Sequence, residues 1–121
     1  MGQESYNLGQ QGETVAEAYL SDHGYEILEK NFRSHQGEID IIAQDGDFLV
    51  FIEVKNYSLK NFMSPLGAIT KNKRNSIIHA ARVYLYRHKI KDTFCRFDVL
   101  TISRAVGGSQ KIDLYKNAFV A

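Results

Sequence analysis

The stretch from Gly37 to Lys55, GEIDIIAQDGDFLVFIEVK, constrains the fold more than any other part of the chain. Residues 37–43 form a short strand. Residues 44–47 read as a hairpin turn with Asp45-Gly46 at its tip, and residues 48–55 as a second strand. This second strand is apolar on both faces as far as Glu53. A strand of that kind sits in the middle of a sheet whose faces are both covered.

The flanking sequence supplies the cover. Residues 9–23 read as a helix with Val15, Ala16, Tyr19 and Leu20 in one stripe, and Gly24 as its stop. Gly9 and Gly12 fall on the same side and leave room for a close neighbour. Residues 25–33 form a strand and turn, and residues 56–65 a loop ending at Pro65. Residues 66–88 form the clearest helix, with Ile69, Ile77, Ala80, Ala81, Tyr84 and Leu85 along one side. Residues 94–103 are a strand, 106–109 a turn and 110–116 an edge strand. The order helix, strands, helix, strands predicts an α/β fold, a mixed sheet flanked by helices. With 121 residues and 44% apolar composition, residues 9–121 suffice for one domain behind a flexible tail of residues 1–8.

No apolar run approaches the roughly 18 residues of a membrane span, and the start of the chain lacks a signal pattern. A single cysteine, Cys95, excludes an intramolecular disulfide and a cysteine-rich zinc site; it is read as packing. A cytoplasmic location is the expectation. The net charge of +1 hides an asymmetry. Residues 1–53 hold eleven acids against Lys30 and Arg33, whereas residues 54–91 hold nine bases and no acid. Such a segment suits an anionic partner, or pairs with the acidic first half.

Residues two apart in a strand share a face, so Glu53 and Lys55 point the same way, as do Glu38 and Asp40. The hairpin makes their strands neighbours, so Asp40 and Glu53 can converge; the other reading is a solvated strand end for Glu53 and Lys55 and hairpin-flanking charges for Glu38 and Asp40. Two adjacent carboxylates call for a proton or a cation between them. Mg²⁺ or Mn²⁺, which take oxygen ligands, suit the pair. Lys55 beside it can hold a phosphate or orient a water, which completes the kit for metal-assisted phosphodiester hydrolysis. Glu13 lies at the edge of the first helix's apolar stripe and can reach inward; it also suits a first-turn acid on the helix dipole. Lys73 falls inside the long helix's stripe and should snorkel to the site's mouth. Lys71, Arg74 and Lys60 are read as following a nucleic-acid backbone, the alternative for Lys71 and Arg74 being a solvated face. Arg96 and Asp98 share a face and read as a structural ion pair.

Several motifs occur in order: Gly9 to Tyr25 (Gly-x-x-Gly-Glu-x-x-Ala-x-x-Tyr-Leu-x-x-x-Gly-Tyr), Gly37-Glu-Ile-Asp40, Phe51-Ile-Glu-Val-Lys55, Lys73 with Ala80-Ala81 and Tyr84-Leu85, Arg96-Phe-Asp-Val99, and Asn117-Ala-Phe119. The set resembles the YraN-like family of bacterial endonuclease-like proteins over almost the whole chain. That family is similar in fold to the restriction-endonuclease-like PD-(D/E)XK nucleases and, by motif, to archaeal Holliday-junction resolvases. The resemblance implies Glu13, Asp40, Glu53 and Lys55 as catalytic residues. Asp40, Glu53, the Val54 backbone carbonyl and Glu13 would be metal ligands. The departures are Ile39 in place of the superfamily's proline, and Asn56-Tyr57 where a small residue and an arginine often follow the lysine.

The expectation is a Mg²⁺- or Mn²⁺-dependent endonuclease acting on DNA, with branched DNA in repair or recombination among its substrates. The resolvase resemblance adds a homodimer. The other readings are a nucleic-acid-binding module of the same fold that does not cut, and a protein-interaction domain whose basic segment docks an acidic partner.

Overall fold

The computed structural model describes residues 14–58, 69–104 and 107–121. The first helix, α1, is described over 14–22. Then come β1 (Glu26–Ser34), β2 (Gly37–Asp45), β3 (Phe48–Ser58), α2 (Lys71–Arg87), β4 (Phe94–Arg104) and β5 (Gln110–Phe119). The strands make one five-stranded sheet in chain order. Only the β3–β4 pair is parallel; the other three are antiparallel. The mixed sheet flanked by helices is therefore observed, with the helical crossover α2 making the parallel pair possible.

Alternation along β3 fills both layers of the core. Leu49 and Phe51 pack with Ile77, Ala80, Ala81 and Tyr84 of α2. Val50 and Ile52 pack with Ala16 and Leu20 of α1. Being buried on both faces explains the unbroken apolar run read in the sequence.

Gly24 ends α1 as expected. It takes φ 88°, and the Tyr25 and Gly24 N–H groups donate to Leu20 and Ser21, a Schellman closure. The second helix is shorter than the predicted 66–88. It starts at Lys71 because the Thr70 side chain accepts the Lys73 N–H at 3.1 Å and Thr70 itself is extended. Ile69 lies before that cap yet is buried in the core. Strand β3 runs on through residues assigned to a loop, as far as Ser58.

Three other expectations change. The β2–β3 turn consists of Gly46 and Asp47, with Gly46 at φ 58°, since Asp45 still pairs with Phe48. Asp45 is thereby free to serve as a side-chain partner. Strand β5 extends beyond residue 116 to Phe119. Cys95, expected to pack, is exposed near the start of β4. The tail of residues 1–8, with Gly9 and Gly12, falls outside the described residues.

Strand β1 does not alternate cleanly. Lys30 reaches Glu17 of α1 at 3.3 Å, whereas Phe32, two residues on, packs edge-on against Tyr84 of α2. The residue between them, Asn31, is left-handed at φ 54° and turns Phe32 to the other face. At the next hairpin, Gly37 lies directly beneath α2. A Cβ there would overlap the Ser76 carbonyl. The missing side chain is what lets α2 settle on the sheet one turn beyond Lys73.

Candidate functional site

The β2–β3 ladder runs from Asp45 opposite Phe48 to Ile41 opposite Ile52 and then stops. The next two residues along are the acids Asp40 and Glu53. In place of a continued ladder, the Asp40 carboxylate Oδ2 accepts the Val54 N–H at 2.8 Å. A side chain thus satisfies a strand donor that the neighbouring backbone has left.

Glu53 lies on the α2 side of the sheet and is only 4% exposed. Its Oε1 stands 3.7 Å from Lys55 Nζ and 3.6 Å from Lys73 Nζ. Its Oε2 is buried and has no hydrogen-bond partner among the described residues. Burial is the main cause that pushes the Glu53 carboxyl up to about 7, helped by the nearby Asp40 charge and opposed by Lys73 and Lys55. Asp40 is also raised, chiefly by burial, against the Val54 hydrogen bond and the Lys73 charge. The two acids titrate as a pair that favours holding a proton or binding a cation.

The structure brings Asp40, Glu53, Lys55 and Lys73 together, with the Val54 backbone at the same place. Lys73 reaches the acid, as its odd position in the apolar stripe suggested. Lys71 and Arg74 are exposed on the first turn of α2 and have no ion-pair partner among the described residues. Glu13 and Lys60 lie outside the described residues. Those residues contain no group of three or more His, Cys, Asp or Glu able to hold a metal. The described acid set is therefore the pair, Asp40 and Glu53.

A second charged cluster lies on the opposite face of the sheet. Asp98 is 0% exposed. It accepts two Arg96 bonds at 2.8 Å, the Tyr25 hydroxyl at 2.9 Å and the Asn117 N–H at 2.9 Å. Arg96 also donates to Asp45 and to the Tyr25 oxygen, each at 2.8 Å. Burial and the Asp98 charge push the Tyr25 hydroxyl well above its usual range. The Arg96–Asp98 ion pair is thus structural, as read. Tyr25, Asp45 and Asn117 were not recognised as its partners; the only signal was their presence in the recurring motifs and the turn. Asn117 is left-handed at φ 54°, which places its N–H on Asp98.

Fold and site together define a small α/β protein with a half-buried acid–lysine centre where its central hairpin splays apart. Comparison with known proteins agrees with a family assignment. The chain belongs to the uncharacterised protein family UPF0102, whose profile matches residues 12–102. It is similar to a UPF0102 protein of Clostridium botulinum (strain Kyoto / Type A2), 45% identical over 115 residues that cover 93% of this chain and 94% of the relative. It is also similar to a UPF0102 protein of Geobacter metallireducens, 42% identical over 113 residues, 93% of this chain and 92% of the relative. The YraN-like resemblance is borne out at the level of the family.

Proposed function

We propose that the protein is a Mg²⁺- or Mn²⁺-dependent endonuclease acting on DNA. The observation that carries this reading is the convergence of Asp40 and Glu53, both raised by burial, with Lys55 and Lys73 at one Glu53 oxygen. The other oxygen, buried and unpaired among the described residues, suits a hard cation. Asp40, Glu53 and the Val54 carbonyl would hold the ion, with Glu13 as a further ligand. When bound, such an ion polarises a phosphate and makes water a better nucleophile.

The chain's own groups supply the rest. Lys55, about one-third exposed, orients the attacking water and offsets charge growing on the phosphate oxygens. Lys73 takes a phosphate oxygen at the mouth of the site. The exposed Lys71 and Arg74, with Lys60, follow the backbone, consistent with nine bases and no acid over residues 54–91. Likeness to the PD-(D/E)XK and resolvase enzymes supports branched DNA as the substrate and a homodimer as the working form. No helix among the described residues is long and apolar enough to cross a membrane, and a cytoplasmic site of action accords with a DNA substrate.

One observation favours a second reading. Two lysines already flank Glu53, so the site is balanced in charge without an ion. On that reading the same surface holds DNA and does not cut it.

Calorimetric titration of Mg²⁺ and Mn²⁺ into wild type and Asp40→Ala, with incubation of both on linear and branched DNAs, separates the two. Saturable binding lost in the variant, with metal-dependent cleavage of a panel member, is the expected result. Salt-sensitive DNA binding with neither metal uptake nor turnover would leave the binding module standing.

A further inference from the structure

Three buried side-chain atoms have no hydrogen-bond partner among the described residues: Glu29 Oε2, Glu53 Oε2 and Thr101 Oγ1. Two of these belong to one face. In the parallel β3–β4 pair, Glu53 stands opposite Val99 and Lys55 opposite Thr101. Val99 packs with α2. Thr101, two residues on, shares its face, and so do Glu53 and Lys55. Thr101 is thus directly opposite the lysine on β4, on the same face.

Thr101 is 0% exposed. A buried hydroxyl without a partner has given up water and gained nothing in exchange. Strand propensity does not account for it, because valine offers the same branched shape with no polar atom. Its other cross-strand neighbour, Asp113 on β5, has Lys111 at 3.8 Å. Lys55, by contrast, has a single acid contact among the described residues, Glu53 Oε1 at 3.7 Å, which it shares with Lys73. Whatever engages Glu53 loosens its hold on the lysine. An ammonium with three donors, one-third exposed, can then turn to water or to a protein acceptor, and the partnerless acceptor beside it in register among the described residues is the Thr101 hydroxyl.

We propose that Thr101 is a positioning residue for Lys55: its buried hydroxyl is the acceptor that fixes the ammonium when Glu53 is engaged. This rests on the nuclease reading for its consequence, not for the contact itself. A Lys55 held by Thr101 keeps its direction toward the phosphate instead of following Glu53.

The test uses full-length protein with ¹³Cε-labelled lysine, the Lys55 signal being assigned from Lys55→Arg. Spectra of wild type, Thr101→Val and Thr101→Ser are compared without metal, then with Glu53→Gln added to each to loosen the acid contact. The expected result is a Lys55 signal that, in the Glu53→Gln background, moves with Thr101→Val and returns toward wild type with Thr101→Ser, and that moves little where Glu53 is intact. Thr101→Val should also keep its melting temperature or raise it, since it removes an unpaired hydroxyl. A Lys55 signal indifferent to Thr101→Val in both backgrounds overturns the proposal. Cleavage is read separately. If wild type cuts DNA with Mg²⁺, Thr101→Val should lose about tenfold to a hundredfold in rate and Thr101→Ser should recover most of it. If wild type does not cut, the nuclease reading fails, and the positioning contact is still decided by the metal-free spectra.

Discussion

The Asp40 carboxylate accepts the Val54 N–H at 2.8 Å, across the point where the β2–β3 ladder stops. Asp40 therefore has a structural duty besides any chemical one. Asp40→Ala removes a charge-assisted bond to a strand N–H and should cost about 1–3 kcal/mol. Asp40→Asn keeps an acceptor and should cost less than 1 kcal/mol, roughly. Both should lose metal binding, because the amide lacks the charge. Urea denaturation paired with calorimetry separates the effects. Full metal affinity in Asp40→Asn would remove Asp40 from the ligand set.

The raised Glu53 carboxyl makes stability depend on pH. Between its ordinary value of 4.5 and about 7 the folded state keeps a proton that the unfolded chain has released. Stability is therefore fully present below that window, falls as pH rises through it and levels off above. The loss should be about 3 kcal/mol, as urea midpoints at pH 4.5 and 8 can show. Glu53→Gln should flatten the curve and be the more stable form at pH 8. An unchanged slope in the variant would assign the pH dependence to other groups.

Gly37 has no room for a side chain beneath Ser76. Gly37→Ala should lift α2 at that turn and cost about 1–3 kcal/mol. The same shift draws Lys73 away from Glu53. The variant should then show a raised Glu53 pKa by carboxyl NMR, since Lys73 is one of the charges that lowers it. A variant as stable as wild type would mean that the helix accommodates the methyl group by a small slide.

The buried Arg96–Asp98 pair should respond harshly to loss of one partner. Arg96→Met leaves Asp98 buried with the Tyr25 and Asn117 bonds alone and should cost about 3–5 kcal/mol. Tyr25→Phe removes one bond among several and should cost about 1–2 kcal/mol. Thermal unfolding orders the two.

Lys71 and Arg74 are offered to solvent at the start of α2. Replacing either with Gln should lower the slope of log affinity for duplex DNA against log salt by about 0.9. Anisotropy titrations across a range of KCl concentrations measure it. Slopes equal to wild type would place the DNA path elsewhere.

Much of this was legible in the residues. The two-faced apolar run of β3 announced a covered central strand, and the hairpin brought Asp40 to Glu53. Lys73 stood out because a lysine in an apolar stripe must find an exit. What escaped notice were features set by backbone exceptions. Asn31 reverses the alternation of β1, Thr70 delays the start of α2, and the turn at Gly46-Asp47 frees Asp45 for Arg96. None of these shows in the hydrophobic spacing: the cap at Thr70 and the turn at Gly46-Asp47 are local polar and backbone choices, and the left-handed Asn31 leaves the apolar pattern of β1 unmarked. Glu13, read as part of the site, lies outside the described residues.

Asp98 and Glu53 are both deeply buried acids, on opposite faces of neighbouring strands, yet their fates diverge. Asp98 faces Ile52, the residue just before Glu53. Both oxygens of Asp98 are engaged, whereas Glu53 keeps one oxygen unengaged among the described residues. A saturated carboxylate offers nothing to a newcomer, however negative it is. On the proposed reading, an incoming ion would be admitted by the unfilled hydrogen-bond pattern around the Asp40–Glu53 pair and not by the number of acids in the chain. One side of the sheet is thus closed to exchange, and the other is where the proposed chemistry would take place.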